Sequence, residues 1–179
     1  MAHSDPNHPK KNPHPVQRYE VIATAKAPGQ GPWEKVQGYV SFKVTNVDCV
    51  PQDSFTGARN VPNVNFYFEM TRSGPETWAG YFYRDALQDE DFFGRGVCKW
   101  GTSTVGVEFI AHGTSFTSSD LLETFVHQGP QTGYFKKSEF LNSTKNGEDA
   151  LDFSSDNPQY IANPDAFFPI AVTVEEAKP

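Results

Sequence analysis

Hydrophobic and polar positions alternate with period two along most of this chain. Val36, Gly38, Val40, Phe42 and Val44 fall on one face of a run whose other face carries Gln37, Tyr39, Ser41 and Lys43. Strict alternation of this kind predicts a strand with one face on a core and the other in water. Val105, Val107, Phe109 and Ala111 repeat the pattern within Val97–Ala111, and Phe168, Ile170, Val172 and Val174 repeat it near the C-terminus. Tyr19–Thr24, Val64–Met70, Trp78–Tyr83 and Thr132–Lys136 are shorter β-prone runs. Pro28-Gly29, Ser73-Gly74-Pro75, Gly113 and Gly129-Pro130 punctuate them as turns. Ser115–His127 reads as a further strand, or as a strand giving way to a short helix from Ser118. Residues 141–165 are polar and acidic and read as loop. About eight strands with closely spaced turns, and no long amphipathic helix, predict an all-β fold: an antiparallel β-sandwich with little helix.

Residues 1–18 break the pattern. Pro6, Pro9, Pro13 and Pro15 exclude a helix, and the segment has little to bury. It reads as a disordered Pro/His-rich tail or stem, followed by a single domain over residues 19–179. The chain as a whole carries a formal charge of −7. The tail departs from this, with Lys10, Lys11 and Arg18 against Asp5. Glu139 onward is the acidic extreme, with eight acids against Lys145 and Lys178. That balance argues against a nucleic-acid partner, whose phosphates need clustered cations, and suits a basic one. No apolar run approaches the roughly 18–20 residues that cross a bilayer, and the start of the chain has no apolar signal-peptide core.

Cys49 and Cys98 are the two cysteines. Each lies at the edge of a strand-like run, and together they read as one long-range disulfide, which implies an oxidising compartment. With His112 and His127 in the chain, a Cys–His nucleophile is the competing reading of the same thiols. Catalytic patterns are otherwise weak. Gly101-Thr102-Ser103-Thr104-Val105-Gly106 approaches a nucleophile elbow, but its second glycine comes one residue late and the segment reads as mid-strand. Asp89-Glu90-Asp91 is consecutive where a calcium loop alternates, and Asp149, Asp152 and Asp156 are loosely spaced. Asn142-Ser143-Thr144 is a formal glycosylation sequon. Tyr39, Tyr67, Tyr81 and Tyr83 alternate with apolar or small neighbours and form a candidate outward platform. The expectation is a binding protein without cofactor or metal, not an enzyme.

Lys26-Ala27-Pro28-Gly29 with Trp33, Gly38, the segment VTNVDCVP over residues 44–51, the segment QDEDFFGRGVCKW over residues 88–100, and Tyr134-Phe135-Lys136-Lys137 carry a resemblance. Together they resemble small bacterial periplasmic lipoproteins of the kind that act as immunity proteins beside type VI secretion lipase effectors. The likeness covers roughly residues 20–140 and the last strand; the lipid-bearing cysteine and signal peptide of that group have no counterpart here. The resemblance implies inhibition by binding: a cognate effector toxin, a phospholipase, neutralised in the periplasm by a protein held to the membrane only through a lipid anchor. On that reading Asp89, Glu90, Asp91, Phe92 and Phe93 of the Asp85–Arg95 loop, with Asp149 and Asp152 of the Glu148–Asp156 segment, are the candidate contacts. Phe92 or Phe93 is the candidate buried anchor, core packing being the other role open to both. An envelope carbohydrate- or adhesion-type module, using the tyrosine face, is the alternative.

Overall fold

The computed structural model describes residues 3–29, 32–141 and 148–178. The chain is all-β and antiparallel. Its strands are β1 (Arg18–Ala25), β2 (Lys35–Val44), β3 (Asn63–Arg72), β4 (Thr77–Tyr83), β5 (Trp100–Ala111), β6 (Thr114–Leu121), β7 (Gln131–Lys136) and β8 (Phe167–Glu176). They join in one sheet of order β6-β5-β2-β3-β4-β1-β8-β7. The sheet curls around one core in place of two stacked layers. Val21, Val107, Phe109, Phe116, Phe135 and Ile170, from strands across the whole order, are fully buried together. The alternation seen in the sequence is what allows this: each strand contributes every second side chain to the interior.

Among the described residues three short α-helices lie outside the sheet: α1 (Leu122–Gln128), α2 (Lys137–Leu141) and α3 (Pro158–Ala162). α1 begins only where β6 ends, so the Ser115–His127 run divides between strand and helix. A bulge shifts the β2–β5 register between Val40↔Val105 and Phe42↔Thr102. The extra β5 residue brings Ser103 Oγ to 2.6 Å from Ser41 Oγ. Ser103, the middle of the elbow-like motif, therefore fastens a bulge in mid-strand. At one end of the barrel Trp33 packs among Phe109, Phe116, Phe140 and Phe168, with ring centroids 5.1 to 6.1 Å away.

The edge strands β6 and β7 share no ladder. Part of the segment read as acidic loop fills the gap. Ser115 of β6 donates to Glu148 O and accepts from Ala150 N, while Phe153 and Tyr134 of β7 exchange both backbone hydrogen bonds. The chain from 148 to 153 thus closes the seam and leaves the edges covered. Outside it, Phe153, Tyr160 and Phe167 stack on the β7–β8 surface. Asn142–Thr144, the sequon, lies outside the described residues.

The N-terminal segment, expected to hang free, is laid along the loop after β4. Asn12 N donates to Ala86 O and Gln88 N donates to Lys10 O, so Lys11 and Leu87 form an antiparallel bridge. The Asp85 carboxylate accepts the amides of Val16 and Gln17. The prolines leave those amides free, and polar side chains rather than apolar burial hold the segment down.

Candidate functional site

The cysteines form a disulfide, Cys49–Cys98, with Cα atoms 5.4 Å apart and a sequence separation of 49. Cys49 sits in a 3₁₀ turn just beyond β2, and Cys98 precedes β5. Both are buried with Val44, Val50 and Phe92 in a small second core. Oxidation removes both thiols, so the Cys–His nucleophile is excluded. Phe92 is 4 % exposed and packs on Trp100 and Phe93. As the candidate anchor it is corrected to a core residue, because the disulfide draws its loop down onto the barrel. Phe93 is half-buried against the same cluster.

The Asp89–Asp91 run is likewise turned onto its own loop. Asp89 Oδ1 accepts Trp100 N at 2.9 Å. Glu90 Oε1 takes Ser4 Oγ and Lys10 Nζ at 3.1 and 3.0 Å. The Asp91 carboxylate collects the amides of Phe93, Gly94, Arg95 and Gly96. Partial removal from water opposes ionisation of Asp91, but these four donors together hold its carboxyl below the ordinary aspartate range. Gly94 and Gly96 adopt φ of 72° and 106°, which lets two successive amides turn toward that carboxylate. The three acids brace the loop, and among the described residues only Glu90 of the three is paired with a cation, Lys10.

Asp152 is exposed on the seam, with its carboxyl laid over β7. A Cβ on Gly133 would lie 2.4 Å from Asp152 Oδ1, so the carboxyl occupies the space that a bare glycine leaves on β7. Loss of hydration, with the charge of Asp120 added, raises its pKa to about 6 against an opposing backbone hydrogen bond from Tyr134. The folded state therefore holds this proton more tightly than the unfolded chain. Asp152 penalises folding progressively as pH rises from about 4 to about 6, and the penalty is constant above that. Because the residue is exposed and its charge partly screened, Asp152→Asn is expected to melt only slightly higher than the parent at pH 7.5 and level with it at pH 4. Thermal melts at the two pH values check this, and an offset that does not change with pH would refute it.

Asp149 is exposed, as are Asp89 and Asp152, but it alone of the three lines a depression with tyrosine rings. There it meets residues that the acidic-loop reading left aside. Tyr39, Tyr67, Glu108, Thr117, Ser119 and Asp149 line a shallow depression of about 370 Å³ on the outer face of β2, β3, β5 and β6. Its floor is set by Gly106, paired to Tyr39 on one side and Ser119 on the other, where a Cβ would come within 2.4 Å of Ser119 Cβ. Tyr39 and Tyr67 face each other across the β2–β3 ladder with centroids 5.8 Å apart. Tyr39 Oη donates to Asn65 Oδ1, and Gln37 Nε2 donates to Glu108 Oε1, which fixes both side chains. Tyr67 is 59 % exposed. The charge of Glu108, then burial, then Tyr39 and Asp149 raise its phenol pKa, so the depression lies in a negative field. Two ring faces and two carboxylates around a concave floor suit a cationic group of a partner. The outward period-two tyrosines were the available signal; their convergence with Glu108 and Asp149 depends on strand order and on seam closure, which sequence spacing does not carry.

Among the described residues no group of three or more His, Cys, Asp or Glu is placed to share a metal, and no helix is long and apolar enough to cross a membrane. Comparison of the chain with family models, curated proteins and solved structures finds no match.

Proposed function

We propose that the protein is a binding protein of an oxidising envelope compartment, an immunity protein that neutralises a secreted antibacterial toxin, a type VI phospholipase effector, in the periplasm. The observation that carries the binding role is the Tyr39–Tyr67 pair flanked by Glu108 and Asp149. It is a place where acidic charge and exposed aromatic area come together around one concave floor. The disulfide supports the compartment, and the sequence resemblance supports the class of partner. A Lys or Arg side chain on the toxin would seat between the rings with its charge against the carboxylates.

Co-expression with the product of an adjacent effector gene tests this reading. A stable complex and survival of the expressing cells are expected; death at the same rate with and without the protein would sink it. Within a complex, Tyr67→Ala is expected to weaken affinity about thirtyfold, as for a central aromatic contact. Glu108→Lys is expected to slow association and reduce its salt dependence. The tyrosine pair also favours a second reading, an envelope carbohydrate- or adhesion-type module, since rings of this kind stack on sugars. A glycan array separates the two.

A further inference from the structure

A second concave surface, which shares Tyr67 with the first, lies on the β4 side of β3 and is richer in phenylalanine. β3 and β4 share only the short ladder Met70–Arg72 with Trp78–Gly80. Before that point β3 pairs with β2 alone, and beyond it β4 pairs with β1 alone, so the two strands diverge. The wedge between them holds a crevice of about 270 Å³. Phe66, Phe68 and Phe82 line its walls, and Val40 and Leu87 line its depth. Val40, Phe82 and Leu87 are 3, 5 and 7 % exposed, so the crevice reaches the main core. An apolar opening of this kind between strands of a barrel is a common place for a small ligand.

The rim carries the opposite chemistry. Lys11 and Pro15 of the docked N-terminal segment lie at the mouth, and Arg18 stands 3.8 Å over the Tyr81 ring beside them. Tyr81 Oη donates to Glu20 Oε2 at 2.7 Å, so Arg18 and Glu20 balance one another. Lys10 is paired with Glu90. Lys11 is exposed and makes no ion pair among the described residues. In a chain of net charge −7, a cationic segment, with three cations against Asp5, is fastened beside a crevice lined by phenylalanines.

We propose that this crevice binds a medium-chain aliphatic carboxylate, a free fatty acid, with its tail between β3 and β4 and its carboxylate on Lys11. Size sets the chain length. A dry cavity of about 150 Å³ takes the six carbons of benzene; a crevice of about 270 Å³ then takes about ten. Two acyl chains of a bilayer lipid exceed it. This site does not depend on the toxin-binding reading.

Calorimetric titration of the full chain with hexanoate, octanoate, decanoate, tetradecanoate and 1-decanol at pH 8 tests the proposal, each below its aggregation limit. Binding at one site is expected, with affinity rising about fourfold per methylene up to about ten carbons and no further. Lys11→Gln, an exposed change that leaves the fold alone, is expected to weaken decanoate about fivefold and to leave 1-decanol unchanged. Three results would overturn it: no saturable heat with decanoate, affinity that keeps rising to tetradecanoate, or equal losses for acid and alcohol in Lys11→Gln.

Discussion

Replacing Cys49 and Cys98 together by alanine is expected to destabilise the protein by about 4 kcal/mol and lower its melting temperature by about 10 °C. The bridge closes a loop with a sequence separation of 49. In the chain-entropy treatment, a loop of that length restricts the unfolded ensemble by about 4 kcal/mol. Local packing points the same way. The second core consists of Val44, Cys49, Val50, Phe92 and Cys98, with Trp100 as the residue it shares with the main core. Without the bridge, the loops around Cys49 and Cys98 keep backbone contacts such as Thr45 N to Lys99 O and Cys98 N to Glu90 O, but little buried apolar area. The loss should therefore be regional first: Gly94–Val97 should become protease-sensitive at temperatures where the barrel strands remain protected. Because Cys98 is 0 % and Cys49 3 % exposed, a reductant should open the bond in the native protein only at the rate at which this region unfolds. Thermal melts of the double variant and thiol labelling under reductant are the measurements. A melting temperature within a couple of degrees of the parent would show that the bridge is dispensable to the fold.

How far the sequence foretells this molecule depends on which interaction holds each part. Strands held by apolar alternation were legible: Val36–Val44 and the run from Phe168 lie within observed strands, and the Val97–Ala111 run overlaps β5, which begins at Trp100. The disulfide was legible because both cysteines border such runs. Segments held by backbone and carboxylate hydrogen bonds were not. Residues 3–17 lack hydrophobic pattern, yet the Asp85 carboxylate, the Ala86 carbonyl and the Gln88 amide fix them. The 148–153 stretch looks like solvated loop, yet it completes the barrel through four backbone hydrogen bonds to Ser115 and Tyr134. A run of carboxylates likewise reads as surface charge until its donors are known. Asp91, with four amides, and Asp152, over Gly133, are surface groups tied to the fold in ways their sequence context does not signal. The grouping of Asp149 with Glu108 and the two tyrosines is defined by strand order and seam closure.

Glycine in a strand ordinarily weakens it, and Gly38 in the middle of β2 is retained here for a contact. Its pairing partner on β3 is Phe68, and a Cβ at Gly38 would stand 2.1 Å from that ring. The ring cannot retreat. A Cβ at Gly80 would lie 3.2 Å from it on the β4 side, and the Phe82 ring centroid is 5.8 Å away. Two glycines thus clamp one phenylalanine at the point where β3 leaves β4, and Phe68 is also a wall of the crevice that opens there. Gly38→Ala is expected to cost about 2 kcal/mol by overpacking and to lower the melting temperature by about 6 °C. Phe68→Leu in the same chain should recover most of that, because the shorter side chain vacates the space the new methyl needs. The cost of Gly38→Ala in the Phe68→Leu background, compared with its cost in the parent, isolates the contact. Equal costs in the two backgrounds would show that the ring does not lie on Gly38. A coupling of about 1 kcal/mol or more would show that the Phe68 ring packs directly on the Gly38 backbone.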